Sequence, residues 1–210
     1  AEVHSPTTIK TTLVRKQALA KLAEKLDIMV IEDDCHTPLT TEVPSYRVLT
    51  GGNAYYISSL TKTVSGALRF GYMVGPQGQQ DNLRQVAQSS FYGVSQPITD
   101  LCEGLIRSGA AHQIRKDVFA ATAQRVRLAV NALGAWDIRW REDAPFIWLQ
   151  MPTGWRASSF SMACEKQGIK VRPADEFALS DAKTPNAVRL ALNTCVDEQV
   201  FRDALAKMNL

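Results

Sequence analysis

The chain has 210 residues, 45% of them hydrophobic and 21% charged, with a net charge of +3 and a pI of about 8.7. That length suits one to two domains with enough apolar material for a sizeable core. The positive charge is spread thinly, with no run of Lys or Arg, which argues against a nucleic-acid surface on this segment and for an ordinary solvated face. No apolar stretch approaches the ~20 residues that cross a bilayer. The opening AEVHSPTTIK lacks the basic and apolar regions of a signal peptide. Cys35, Cys102, Cys164 and Cys195 form no CxxC pair, and His4, His36 and His112 do not join them at ligand spacing. No metal site is expected, and reduced thiols in a cytosol are the simplest reading.

In chain order, residues 11–26 read as an amphipathic helix, with Leu13, Leu19, Leu22, Ala23 and Leu26 near one face. IMVIE follows as a continuous apolar run, expected to be a buried parallel strand ending in Asp33 and Asp34. AYYIS (54–58) and FGYMVG (70–75) are two further strands, separated by the polar turn SLTKTVSGALR. Residues 79–107 are helical with a break around Gly93 to Pro97, and a long helix runs from Ala110 to about Leu133. Beyond it the pattern gives a strand at FIWLQM (146–151), a helix at SSFSMACEKQG, strands at IKVRP and VRLALN (188–193), and a closing helix at DEQVFRDALAKM. A domain boundary is placed near residue 112, giving units 1–112 and 113–210. Alternating helices and strands mean an α/β protein, in which ligands gather at the carboxyl ends of strands.

Two places sit at such ends. In YYISSLTKTVSGALRFGY, Lys62 lies in a hydroxyl-rich turn with Arg69 seven residues on. A lysine nucleophile needs a partly desolvated amine, and a phosphate needs hydroxyls, backbone N–H groups and a guanidinium fork. One turn could deliver all of these to a phosphorylated aldehyde; alone, it could equally be a solvated loop. The acids after IMVIE could pair with a protonated pyridine nitrogen, or act as a helix cap or a surface pair. A third feature is Arg189 inside the apolar strand VRLAL. Buried arginine is rare without a partner, and that partner is either a substrate carboxylate or an ordinary ion pair.

Taken together, HSPTT, VIEDDCHTPL, SLTKTVSGALRFGYMVGP, APFIWLQMPTGW, GIKVRPADEFAL and VRLALN resemble, in order and spacing, the class I/II aminotransferase fold. Within it they are most similar to the pyridoxal-phosphate (PLP) half of MocR-type, GntR-family transcriptional regulators. The resemblance runs nearly end to end. It implies PLP-dependent transferase fold type I: the later part of the large domain followed by the small C-terminal domain. It implies that Lys62 carries the cofactor as a Schiff base, that Asp33 rather than Asp34 meets the pyridine nitrogen, and that Ser59 and Arg69 hold the phosphate with help from Thr61. Arg189 would receive the α-carboxylate of an amino-acid-like ligand. Two departures fall near the cofactor's 3′-oxygen: Cys35 and His36 stand where the family commonly has a tyrosine, and Ser5 replaces the asparagine of its N-P-T-G-like stretch. His36 could still donate a hydrogen bond there.

The resemblance further implies that upstream sequence supplies a phosphate loop, a ring-stacking aromatic and, in the regulators, a winged-helix DNA-binding domain. Three functions follow as expectations. The first is a regulator's effector domain, cytoplasmic and homodimeric, which binds an amino compound as an external aldimine and reaches DNA only through a domain outside this chain. The second is part of an aminotransferase of the aromatic or 2-aminoadipate type, with Lys62 also moving the substrate proton. The third is a cofactor-free remnant that keeps only the fold. The preceding sequence separates the first two; a cofactor absorbance band separates both from the third.

Overall fold

The computed structural model describes residues 1–36, 43–91, 93–192 and 196–208; Cys195 and Asn193 of the sequence reading lie outside them. The chain forms two compact units, one of residues 1–3 and 10–118, the other of residues 4–9 and 119–210.

The first unit opens with helix α1 (Leu13–Lys25), started by Thr12, whose hydroxyl accepts the Arg15 N–H. Strand β1 (Val30–Asp33) follows, then the single-turn helix α2 (Tyr46–Leu49) and strand β2 (Ala54–Ser59). After β2 come the single-turn helix α3 (Leu60–Thr63), a 3-10 turn at Gly66–Leu68, and strand β3 (Gly71–Val74). The order is β1-β2-β3, with β1 and β2 parallel and β3 antiparallel. Helices α4 (Gln80–Ser90) and α5 (Gln96–Arg107) come next, with Pro97 in the first turn of α5, where its missing N–H costs nothing. The long helix α6 (Ala110–Leu133) begins in this unit and continues into the second.

Two expectations fail here for one reason. The leucine face of α1 does not point inward: Leu13, Leu22 and Leu26 are exposed, and the buried positions are Lys16, Ala20 and Ala23. Nor is β1 a buried apolar strand, since Ile31 is 65% exposed while Glu32 is buried. The interior is organised by charge. The Lys16 ammonium, 1% exposed, donates to Glu32 Oε1 at 2.5 Å and to the Pro44 carbonyl at 3.1 Å. The other oxygen of Glu32 accepts the Tyr46 N–H at 2.8 Å. One carboxylate thus joins α1, β1 and α2, and of the expected apolar face of α1 only Ala23 is fully inside.

The second unit holds strands β4 (Ile138–Arg139), β5 (Phe146–Gln150), β6 (Arg172–Pro173) and β7 (Ala187–Ala191) in the antiparallel order β4-β5-β7-β6. Helices α7 (Ala157–Lys166) and α8 (Glu198–Met208), with the later part of α6, cover one face. Its core is Val126, Ala129 and Leu133 of α6, Ile147 and Leu149 of β5, Val188 and Leu190 of β7, Phe160 of α7, and Phe201 and Leu205 of α8. Period-two alternation therefore sends Phe146, Trp148 and Arg189 to the opposite face. The IKVRP strand shrinks to Arg172–Pro173, because its first residue is still tied to the end of α7: the Ile169 N–H donates to the Cys164 carbonyl at 2.9 Å.

The buried pair makes a stability prediction. Removing one partner leaves an uncompensated buried charge, so Lys16→Met or Glu32→Leu alone lowers unfolding free energy by ~3–5 kcal/mol. The double variant recovers most of that loss. Urea melts of the three proteins measure it; two independent, additive losses would show that the charges are not coupled.

Candidate functional site

In the first unit, the parallel pairing sets Asp33 opposite Ile57, so β1 and β2 end side by side, at Asp33 and Ser59. The acids leave β1 on alternate sides. Asp34 is 5% exposed and fully engaged: Oδ1 accepts the Glu2 N–H at 3.1 Å, Oδ2 accepts the Tyr56 hydroxyl at 3.1 Å, and its carbonyl accepts the Ser58 hydroxyl at 3.4 Å. Asp33 is exposed, and its Oδ1 accepts the Cys35 N–H at 3.1 Å. His36 is half-buried in the same turn.

Cys35 records what surrounds it. Burial first, then a hydrogen bond to Asp33 and the charges of Asp33 and Asp34, push its thiol up to about 11, against an opposing pull from the Lys62 ammonium. Lys62 therefore lies within the electrostatic reach of the acid turn, although 27 residues separate it from Cys35 (62 − 35). Lys62 itself is exposed on α3 and makes no hydrogen bond or ion pair among the described residues.

Local capping explains how the lysine turn folds. The Ser59 hydroxyl accepts the Thr61 N–H at 3.0 Å, which starts α3, and the Ser65 hydroxyl accepts the Ala67 N–H at 3.3 Å, which starts the 3-10 turn. The Phe70 carbonyl collects the Ser59 hydroxyl at 2.8 Å, the Leu60 N–H at 3.0 Å and the Thr61 hydroxyl at 3.5 Å. A phosphate taken up here would have to draw both hydroxyls away from that carbonyl. Arg69, immediately before it, is held left-handed at φ +47°, a conformation costly for a side chain with a Cβ. Its guanidinium is exposed, with no partner among the described residues. Asp33, Ser59, Thr61, Lys62 and Arg69 thus share two adjoining strand ends, with a free ammonium, a free guanidinium and an open carboxylate among them.

The second unit carries Arg189. Its guanidinium lies 4.7 Å from the centre of the Phe177 ring and 5.7 Å from that of Phe146. It donates to the Ser5 hydroxyl at 3.0 Å, and its Nε is buried with no hydrogen-bond partner. No carboxylate lies within 4 Å of it among the described residues; Glu176 pairs instead with Arg172, at 3.6 Å. Burial, and then the neighbouring Arg172 charge, lower its pKa, while Glu176 acts the other way. Phe177 is a neighbour of Arg189 that sequence reasoning did not single out, and Ser5 was read there only as a departure near the 3′-oxygen. PADEF offered Asp175 and Glu176 as ion-pair partners for Arg189, but it is the aromatic ring of that segment that meets the guanidinium. At Thr8, where the family stretch has glycine, the backbone is left-handed at φ +60°.

This architecture has known counterparts. Over 97% of the chain it superposes on the alpha-aminoadipate aminotransferase LysN of Thermus thermophilus, solved with N-(5'-phosphopyridoxyl)-L-leucine, with a TM-score of 0.83 at 19% identity, covering 55% of that chain. The chain has the type I fold of the PLP-dependent aminotransferases. The fold expected from the sequence is therefore the one found. No protein-family model matches the aminotransferase-like chain. The HTH-type transcriptional regulator YdfD of Bacillus subtilis is 29% identical over 159 residues, which are 70% of this chain and 33% of that protein. An aromatic amino acid aminotransferase of Streptomyces avermitilis is 27% identical over 180 residues, 81% of this chain and 48% of that one. The aminotransferase-like chain thus spans about a third to a half of these relatives, and its likeness to HTH-type regulators agrees with the resemblance read from its motifs.

The two acids are predicted to behave differently. Asp34→Ala orphans buried donors and lowers stability by ~1–3 kcal/mol, whereas Asp33→Ala stays within ~0.5 kcal/mol of wild type. Thermal melts decide, and equal losses would contradict this division. In the same turn, Cys35 at pH 8 is alkylated on the order of 100-fold more slowly than a thiol of pKa 9, because that much less thiolate is present. Asp33→Asn removes a charge that raises the thiol pKa and speeds labelling at Cys35, read by peptide mapping; an unchanged rate would show that Asp33 does not act on it.

Proposed function

We propose that the chain is the PLP-binding, aminotransferase-like effector domain of a MocR-type regulator, and that it responds to an amino compound bearing a carboxylate. The observation that carries this reading is that a Lys62 ammonium and an Arg69 guanidinium, both without a partner among the described residues, lie with the exposed Asp33 carboxylate at adjoining strand ends. Exposed charges of both signs at one edge of the sheet, one of them on a left-handed residue, suit a ligand that is at once aldehyde, cation and phosphate.

The residues fit that cofactor. Lys62 would hold it through the ε-amine, Asp33 would keep a proton on the pyridine nitrogen, and Arg69 would take the phosphate by its planar fork, joined by Ser59 and Thr61. His36 would donate toward the ring's 3′-oxygen. Bound PLP supplies an aldehyde that condenses with primary amines and a ring that withdraws electrons. Around that chemistry, Lys62 is the group placed to accept or return a proton. In the second unit Arg189 binds the carboxylate of the amino compound. Its half-buried guanidinium, beside the Phe177 ring, retains a buried Nε donor for that purpose, and among the described residues no acid forms an ion pair with it.

The HTH-type relatives are two to three times as long as the matched segment, which supports DNA contact through a domain outside these residues. A cytoplasmic location goes with the regulator reading; no helix among the described residues is long and apolar enough to cross a membrane. Exposed Leu22, Leu26, Ile28 and Ile31 on the first unit support cover by more protein, assigned here to a homodimer.

Borohydride reduction of protein incubated with PLP is expected to label Lys62, and Lys62→Ala is expected to lose the yellow band. A label on another lysine, with Lys62→Ala still coloured, would refute the assignment. For Arg189, the expectation is that Arg189→Lys melts within a few degrees of wild type and yet no longer changes its spectrum when amino acids are added. A large fall in melting temperature with that response retained makes Arg189 a structural residue.

A further inference from the structure

We infer that the acid end of the recognised compound carries two negative charges, received jointly by Arg189 and Arg172. The inference rests on reading Arg189 as the carboxylate receiver and adds the class of ligand. Strand register puts the two arginines directly opposite each other, Arg172 on β6 and Arg189 on β7. Directly opposed residues on antiparallel strands project from the same face with Cβ atoms about 5 Å apart, so both guanidinium groups leave the sheet side by side.

Like charges in this position repel, and partial burial of one of them weakens the screening that would hide the repulsion. Arg189 feels Arg172 in this way. Among the described residues the acid that pairs with either arginine is Glu176, whose ion pair with Arg172 is 3.6 Å long, with side chains 46% and 62% exposed. That distance lies outside a charge-assisted hydrogen bond. One carboxylate against two arginines leaves an unbalanced positive charge, beside a buried Nε donor on Arg189 that no described residue satisfies.

Folding does not need an arginine at 172. The strand is two residues long, its inward position is taken by Pro173 opposite Val188, and the Arg172 side chain is mostly in solvent. What the position provides is a second planar fork beside the first. Two converging forks suit a tetrahedral dianion, or two carboxylates on neighbouring carbons, better than a lone carboxylate, which Arg189 and Ser5 could hold by themselves.

The test needs no cofactor. The protein is titrated by calorimetry at low salt with methylphosphonate and methanesulfonate, at a pH where the first carries two charges and the second one. The two anions have the same shape, so the comparison isolates charge. Malonate against acetate forms a second pair. Wild type is expected to favour at least one dianion over its monoanionic counterpart by on the order of tenfold. Preference for methylphosphonate alone points to a phosphonate-like head, and preference for malonate points to paired carboxylates. Arg172→Gln is expected to reduce the ratio to about twofold or less, with a melting temperature unchanged or raised as the repulsion is relieved. Equal affinities within both pairs in wild type, or a preference that survives Arg172→Gln, overturns this inference and leaves Arg189 as a monocarboxylate site. Absence of binding by all four anions overturns the Arg189 reading as well, while the Lys62 labelling experiment stands apart from both.

Discussion

The carboxylate of Glu32 is the constraint on which the first unit depends. It is buried at the centre of β1, meets the Lys16 ammonium from α1, and takes the backbone N–H that opens α2. A buried charge is tolerated only where its partners are fixed, so this pair determines which side of β1 faces inward. Glu32 is in; by period two Asp33 is out and Asp34 in again. The open acid beside Lys62 is thus a consequence of parity, set one residue upstream by an ion pair that does no chemistry.

The second unit reaches a similar result by apolar means. Val188 and Leu190 are committed to the helix-covered core, so Arg189 between them must emerge on the other face. There it finds aromatic rings and a hydroxyl in place of an acid. A guanidinium stacked between Phe146 and Phe177 keeps its orientation without losing its charge to a partner. Both units therefore use the same device: residues fixed for folding reasons at i − 1 and i + 1 aim a polar group at i.

Most of the elements are legible in the sequence, because their periodicity and punctuation are local. The span Ala110–Leu133 and the strand beginning at Phe146 lie where the pattern puts them, and the break between the two helices comes slightly earlier than Gly93 to Pro97, since α4 ends at Ser90 and α5 begins at Gln96. Lys62 and Arg69 come from a motif, not from physics, since a hydroxyl-rich turn alone is ambiguous. The inward face of α1 is hidden because four leucines dominate its period, while Lys16 is drawn inward by an acid 16 residues later, which no helical pattern reveals. Ser5 escapes for the same reason at greater range: its contact with Arg189 spans 184 residues. The four-residue helix at Tyr46 is too short to give a period, and its first N–H is held by Glu32 rather than by its own sequence.

The departures near the ring oxygen belong to this picture and are not isolated substitutions. A tyrosine at position 35 would present a hydroxyl on a long, rigid arm, whereas Cys35 is short and its backbone N–H and thiol both turn to Asp33. Because burial and the neighbouring acids keep the thiol protonated, it has an S–H to donate, and its recipient is the Asp33 carboxylate. The substitution therefore moves a donor from the expected ring oxygen to the acid that would hold the ring nitrogen. At Ser5 the change runs in parallel: a shorter side chain reaches the Arg189 fork. Each replaced residue has been drawn back onto a protein group of its own unit, so on the proposed reading a cofactor would lean more on Lys62, Asp33 and Arg69, and the amino compound on Arg189, with less held around the 3′-oxygen.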